Sequence, residues 1–290
     1  MTNPGFRRIL LATDGTSEAE AAARLATALA ETSAAAVRVV HVWNLEVHHR
    51  HGIWDVEMRS EAEKMVAGAV ERLRTLGVTA DSRLARADEN HVGAAIAEAA
   101  REYDADLVVV GSRGLSDWRS MFVQHSVGHR VLCAVDCPVL FVREAGASIF
   151  HEPSRVLLAI AGGDDVAPGV RAAIAAASTP GSKVMAAHVV QAVFSPDGSS
   201  YVESEDEIQN TVETAASMVE AAGIAAETEV AAPGPVAHAI AAMAWRWQAD
   251  IIVIGSSRMS DVASIIFGSV THDLLRTTRA PVLAAERVPS

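Results

Sequence analysis

The sequence predicts an α/β protein built as two tandem open sheets. Each sheet is five-stranded and mainly parallel, with helices on both faces. Three observations predict this. The chain repeats itself: Asp104-Ala105-Asp106-Leu107-Val108-Val109-Val110-Gly111 is matched by Gln248-Ala249-Asp250-Ile251-Ile252-Val253-Ile254-Gly255 at an offset of 144 residues. Its start repeats as well, Arg8-Ile9-Leu10-Leu11-Ala12 matching Arg155-Val156-Leu157-Leu158-Ala159 at an offset of 147. Within each copy, short apolar runs alternate with Ala-rich stretches of helical period, and that alternation implies βαβ crossovers onto a parallel sheet covered on both faces. The length of 290 residues suits two domains, each large enough to bury its own core. The expected domains are residues 1–146 and 147–290, joined through a linker over 144–154 that holds Gly146 and Pro153.

The elements follow in order. Residues 7–12 are an apolar run stopped by Asp14-Gly15-Thr16-Ser17, a buried strand followed by a turn. Thr16 or Ser17 caps a helix reaching about residue 31. Residues 37–43 form the second strand, with β-branched residues in series, and 44–54 form a loop holding His48, His49 and His51. Met65, Val66, Ala69, Val70 and Leu73 mark a helix over 55–76 that ends at Gly77. Residues 78–85 alternate as a strand, 91–103 are helical, 106–110 are a buried strand, 126–134 are helical, and 139–142 close the unit after Cys137-Pro138. The second copy repeats the order, with strands near 155–160, 184–190, 225–230, 251–254 and 282–285.

Composition excludes several function classes. The net charge of −12 and the presence of only two lysines, Lys64 and Lys183, argue against nucleic-acid binding and a polybasic membrane surface. The acidic run Glu203, Glu205, Asp206 and Glu207 reads as a solvated helix start. Cys133 and Cys137 are too few for a disulfide framework and read as reduced, part-buried thiols. No basic stretch followed by an apolar run opens the sequence, and no apolar stretch approaches 18 residues, so a soluble cytoplasmic protein is expected. The histidines at 48, 49 and 51 read as a solvated loop rather than a metal site, and Trp245 and Trp247 as packing or interface residues.

Ligands of open parallel sheets bind outside the carboxyl ends of the strands. Three segments fall there in the first copy: Asp14-Gly15, His41-Val42-Trp43, and Gly111-Ser112-Arg113-Gly114. A Gly-rich turn lets backbone N–H groups approach phosphates, and the start of the following helix, at Ser126, adds a hydroxyl and a partial positive charge. Neither a G-x4-G-K-[ST] loop nor G-x-S-x-G nor H-E-x-x-H occurs, so P-loop, hydrolase-elbow and zincin chemistry lack support.

Together, the strand ending in Asp-Gly, the strand ending Val-Gly-Ser-Arg-Gly-Leu and the closing Cys-Pro-Val-Leu-Phe-Val resemble the universal stress protein family, in both copies. The resemblance implies a Rossmann-like sheet of the adenine nucleotide alpha hydrolase kind. It implies an ATP site of the pattern G-x2-G-x9-G-[ST] with an Asp after the first strand, and magnesium as counter-ion. By resemblance the contacts in the first copy are Asp14, Gly15, Val42, Gly111, Gly114, His125, Ser126 and Val127. Both copies depart from the pattern. In the first, an apparent one-residue insertion puts His125 where the family has Gly, with Ser126 in place of its Ser. In the second, Gly255, Gly268 and Ser269 are correctly spaced, but Arg258 replaces the second Gly and Ala161 the Asp, leaving a weaker site. Two functions follow: a non-catalytic, adenine-nucleotide-binding stress-response protein with any binding in the first copy, or a protein-interaction module whose nucleotide sites have degenerated. Slow ATP hydrolysis stays open, although no general base is evident beside the phosphates, and no catalytic residue or metal ligand is assigned. The two copies are expected to pair as an internal pseudo-dimer through their last strands, with a homodimer of chains as a further possibility.

Overall fold

The computed structural model describes residues 5–48, 52–55, 59–88, 90–112, 127–143, 152–161, 166–195, 198–201, 203–255 and 263–285. The chain divides into two compact units, one spanning Phe6–Glu152 and the other running from Pro153 onward.

The first unit contains β1 (Arg8–Ala12), α1 (Ser17–Ser33), β2 (Ala36–His48), β3 (Gly52–Asp55), α2 (Arg59–Thr75), β4 (Ala80–Ala87), α3 (Val92–Tyr103), β5 (Leu107–Gly111), α4 (Val127–Ala134) and β6 (Val139–Val142). Five strands pair in parallel in the order β4-β2-β1-β5-β6. The chain adds strands outward from β1 in one direction, then returns to add β5 and β6 on the other side. The reversal falls between β1 and β5, where Ile9 pairs with Leu107 and Ala12 with Val110. Ile9, Leu10, Leu11, Leu107, Val108 and Val109 are fully buried, as a strand covered on both faces requires.

The second unit contains β7 (Arg155–Ile160), α5 (Ala167–Ala176), β8 (Lys183–Val189), β9 (Ala192–Ser195), β10 (Gly198–Tyr201), α6 (Glu205–Ala221), β11 (Ala225–Ala231), α7 (Val236–Trp247), β12 (Ile251–Ile254), α8 (Ala263–Thr277) and β13 (Val282–Ala284). Its parallel strands run β11-β8-β7-β12-β13, the same order as in the first unit.

The repeated aspartates explain why the two units fold alike. Asp106 accepts the Arg7 and Arg8 N–H groups at 2.8 and 2.9 Å, and Asp250 accepts those of Ser154 and Arg155 at 2.8 and 2.9 Å. The carboxylates tie the start of β1 to that of β5 and the start of β7 to that of β12. Just upstream, Asp104 and Gln248 end their helices in the left-handed conformation, at φ 49° and 55°. Arg8 then lies over the Tyr103 ring and Arg155 over Trp247, 5.0 and 5.5 Å from the ring centroids. All these groups sit at the amino-terminal ends of the strands, away from the edge where ligands bind.

Several local expectations need correction. The segment 44–54 is not a plain loop: β2 continues to His48, and β3 pairs antiparallel with it, Leu45 facing Asp55. The second unit carries a β9–β10 hairpin in the corresponding stretch. His-rich composition hid the first and the Gly- and Ser-rich stretch 195–200 the second, since neither shows the sustained run of β-branched or aromatic residues that marks a strand. Cys133 is exposed rather than part-buried, while Cys137 is half-buried. Trp247 donates its indole N–H to Glu227 at 3.1 Å, whereas Trp245 is 82% exposed. No described helix is long and apolar enough to cross a membrane.

Candidate functional site

The crevice of an open parallel sheet lies where the strand order reverses, which in the first unit is between the carboxyl ends of β1 and β5. The Thr13-Asp14-Gly15-Thr16 turn leaves β1 there. Thr13 donates its N–H to the Val40 carbonyl at 2.9 Å, extending the β1–β2 ladder by one bond. The Thr13 carbonyl lies 2.7 Å from Nδ1 of His41, a buried side chain on β2. A carbonyl can only accept, so Nδ1 carries the proton in this contact.

Asp14 stands exposed at the turn. Its Oδ1 accepts the Thr16 N–H at 3.1 Å and the Thr16 hydroxyl at 2.5 Å. The Thr16 oxygen in turn accepts the Ala19 N–H at 3.3 Å, capping α1. Of the two expected caps, the structure selects Thr16. The carboxylate is thus oriented by the cap of the helix it precedes. Gly15 has φ +75°, a conformation disfavoured for residues with a Cβ, and a Cβ there would lie 3.1 Å from Cε of Met65 on α2. Nothing in the sequence links Met65 to residue 15; its helical period reports only which face of α2 is buried.

Gly111 closes β5 and faces the same crevice. A Cβ on Gly111 would lie 2.7 Å from the Ala19 nitrogen and 2.7 Å from the Glu18 carbonyl carbon. The first turn of α1 therefore lies against the end of β5, and the glycine is required for that approach. Val42 is half-buried midway along β2, two residues beyond the end of its pairing with β1, and Val127 is exposed at the first residue of α4. Gly114, His125 and Ser126 lie outside the described residues, so of the expected contacts the structure brings together Asp14, Gly15 and Gly111 at the switch point.

Asp88 follows β4 at the same edge. His91 and the Asn90 N–H, at 2.7 and 2.9 Å, hold its carboxyl below the usual range. The Arg130 guanidinium, from α4, donates to the Asn90 carbonyl. Among the described residues, no three His, Cys, Asp or Glu side chains come together as a metal set; His49 and His51 lie outside them.

The second unit builds the same edge differently. β7 ends at Ile160, and the Ile160 carbonyl lies 3.0 Å from Nδ1 of His188, repeating the contact between Thr13 and His41. Ala161 stands where the first unit has Asp14 and is half-buried. Here the close approach is made by a glycine on the helix: a Cβ on Gly169 would lie 2.9 Å from Gly255 Cα, whereas one on Gly255 would meet nothing nearer than 3.7 Å. Arg258 lies outside the described residues, and the backbone of Gly268 and Ser269 lies within α8.

A sheet of this order, its crevice framed by an Asp-Gly turn and a strand-end glycine, defines a doubly wound α/β protein carrying the same unit twice. The model of the Universal stress protein family matches residues 5–143 and 153–285, and the chain belongs to that family. A universal stress protein of Thermus aquaticus, named for the QAH/OAS sulfhydrylase 3' region, is 32% identical over 139 residues, covering 48% of this chain and 99% of that protein. Universal stress protein YxiE of Bacillus subtilis (strain 168) is 30% identical over 151 residues, again 48% of this chain and 99% of that protein. Each relative thus matches about half of this chain. A crystal structure of a universal stress protein from Archaeoglobus fulgidus DSM 4304 shares the fold over 97% of this chain and 98% of its own, with a TM-score of 0.70 at 19% identity.

Proposed function

We propose that the first unit binds an adenine nucleotide, ATP with magnesium as counter-ion, and acts as a non-catalytic, ligand-responsive component of a stress response. One observation carries this reading: an exposed carboxylate and a strand-end glycine converge where the strand order reverses. Asp14 faces the adenosine part, with Gly15 and Val42 beside it. Gly111, Gly114, His125, Ser126 and Val127 approach the ribose and phosphates. The second unit, with Gly255, Arg258, Gly268 and Ser269, is the weaker site because Ala161 offers no carboxylate. Pairing of the units through Val139–Val142 and Val282–Ala285, and any homodimer of chains, belongs to the same proposal and is testable by cross-linking and sedimentation. The test of binding is calorimetric titration of ATP into wild type and Asp14→Asn. The amide keeps Oδ1 as the acceptor for Thr16, so α1 stays capped while the charge is lost. A tenfold or greater loss of affinity is expected; equal affinity overturns the assignment.

A second reading, the interaction module with degenerated nucleotide sites, is favoured by Trp245, an aromatic of the kind enriched at interfaces, which is 82% exposed. It is distinguished by wild type failing to bind any adenine nucleotide.

A further inference from the structure

The buried His188 and the part-buried Glu203 form a pair to which no ligand-binding role has been assigned above. The His188 side chain is 1% exposed and the Glu203 side chain 18%. Nδ1 points at the Ile160 carbonyl and therefore bears a proton. Nε2 has no aligned hydrogen-bond partner among the described residues, yet Glu203 Oε2 lies 3.0 Å from it. A neutral imidazole with its proton on Nδ1 would turn a bare lone pair toward a carboxylate. Two acceptors at that distance, one buried and one part-buried, repel unless a proton lies between them.

We propose that a proton shared by His188 and Glu203 latches the entry of α6 to the carboxyl ends of β7 and β8. Glu203 directly precedes Ser204, the N-cap of α6, whose hydroxyl and N–H are both bound to the Glu207 carboxylate at 2.8 Å. The doubly protonated imidazole thus joins three elements: its Nδ1–H meets the β7 carbonyl, the ring stands on β8, and the proton on Nε2 meets the start of α6. It comes from solvent and returns there, so the latch opens as pH rises and the pair loses it.

The other charged groups on the elements packed around β8 are engaged or turned outward. On β11, Val230 is the register partner of His188. Glu227 of that strand meets Lys183 and Trp247, and Glu229 meets Arg246. On α6, Glu205 and Asp206 are exposed and Glu207 serves the cap; His238 on α7 and Arg171 on α5 are exposed. Among the described residues, Glu203 is the charge that meets Nε2. The sequence repeats the ingredients: His41-Val42 and Val56-Glu57 match His188-Val189 and Val202-Glu203.

The test uses the full chain, imidazole nitrogen NMR and amide hydrogen exchange across a pH series. Glu203→Gln is the informative variant, since its amide N–H can donate to neutral Nε2 with no shared proton. Wild type is expected to show both His188 nitrogens protonated while the latch is closed. As that proton leaves, protection of the Ile208 amide should fall about tenfold or more beyond the ordinary pH trend of exchange, the scale of one charge-assisted hydrogen bond. Glu203→Gln should show the neutral Nδ1–H tautomer and lose that extra pH dependence while keeping the protection. The proposal is overturned if His188 holds one proton throughout the series in wild type. It is equally overturned if Ile208 protection follows the same pH course in wild type and Glu203→Gln.

Discussion

The Cβ that Gly111 lacks would stand 2.7 Å from the backbone nitrogen of Ala19. This contact presses the capped start of α1, and with it the Asp14 turn, against the end of β5. The glycine that the sequence offers as a phosphate-loop residue has a packing duty before any ligand arrives.

Gly111→Ala should therefore destabilise the first unit by about 1–3 kcal/mol, because the obstruction is helix backbone and cannot rotate aside. Gly255→Ala, at the matching position, meets only ordinary contacts at 3.7 Å and should cost less than about 1 kcal/mol. Urea unfolding of both variants checks the asymmetry. Equal losses would mean that the two strand ends are packed alike.

Gly15→Ala should cost about 1–2 kcal/mol from its left-handed backbone. Adding Met65→Ala removes the 3.1 Å contact but leaves the φ of +75° untouched. The double variant should thus be less stable than Met65→Ala alone, by about the backbone cost. A double-mutant cycle in urea measures it.

Asp106→Ala and Asp250→Ala should each destabilise by about 1–3 kcal/mol, since each strips two strand-start N–H groups of a charged acceptor. Neither should change ATP affinity at temperatures where the variants are folded, because the tethers lie at the opposite edge of the sheet. A titration showing a large affinity loss in Asp106→Ala would contradict that separation.

The Arg38–Asp81 pair sets an acid-side dependence. Two hydrogen bonds of 2.6 Å from the Arg38 guanidinium hold the Asp81 carboxyl below its ordinary value. A carboxyl lowered in the folded state stabilises above its unfolded value, and that contribution is lost as pH falls through the folded one. Wild type should then lose stability more steeply than Asp81→Asn below about pH 4. The difference should be small, since the Asp81 side chain is 49% exposed. Thermal melts of both proteins from neutral to acid pH give the comparison.

Restoring the pattern in the second unit tests the view that its site has decayed. Arg258→Gly alone should do little, while Arg258→Gly with Ala161→Asp should raise the ATP stoichiometry. If Arg258→Gly instead weakens existing binding, Arg258 is a phosphate ligand and the second unit is the working one. His125→Gly should strengthen binding in the first unit if the imidazole fills space meant for the ligand.

The sequence by itself determined the duplicated architecture. Buried parallel strands need unbroken apolar runs, and turns need Gly, Asp and Thr, so β1, β5, β7 and β12 stand out without coordinates. It also marked Asp14, Gly15 and Gly111, because turn chemistry is local. It did not show β3 or the β9–β10 hairpin, which lack the alternation that burial imposes. Only the tertiary structure decided that Asp106 and Asp250 are tethers, that Met65 covers Gly15, and that Glu203 is part-buried against His188 rather than fully solvated with the helix start. Those contacts join residues 15 to 99 positions apart, and no period along the chain encodes a distance between side chains that meet only after the sheet has formed.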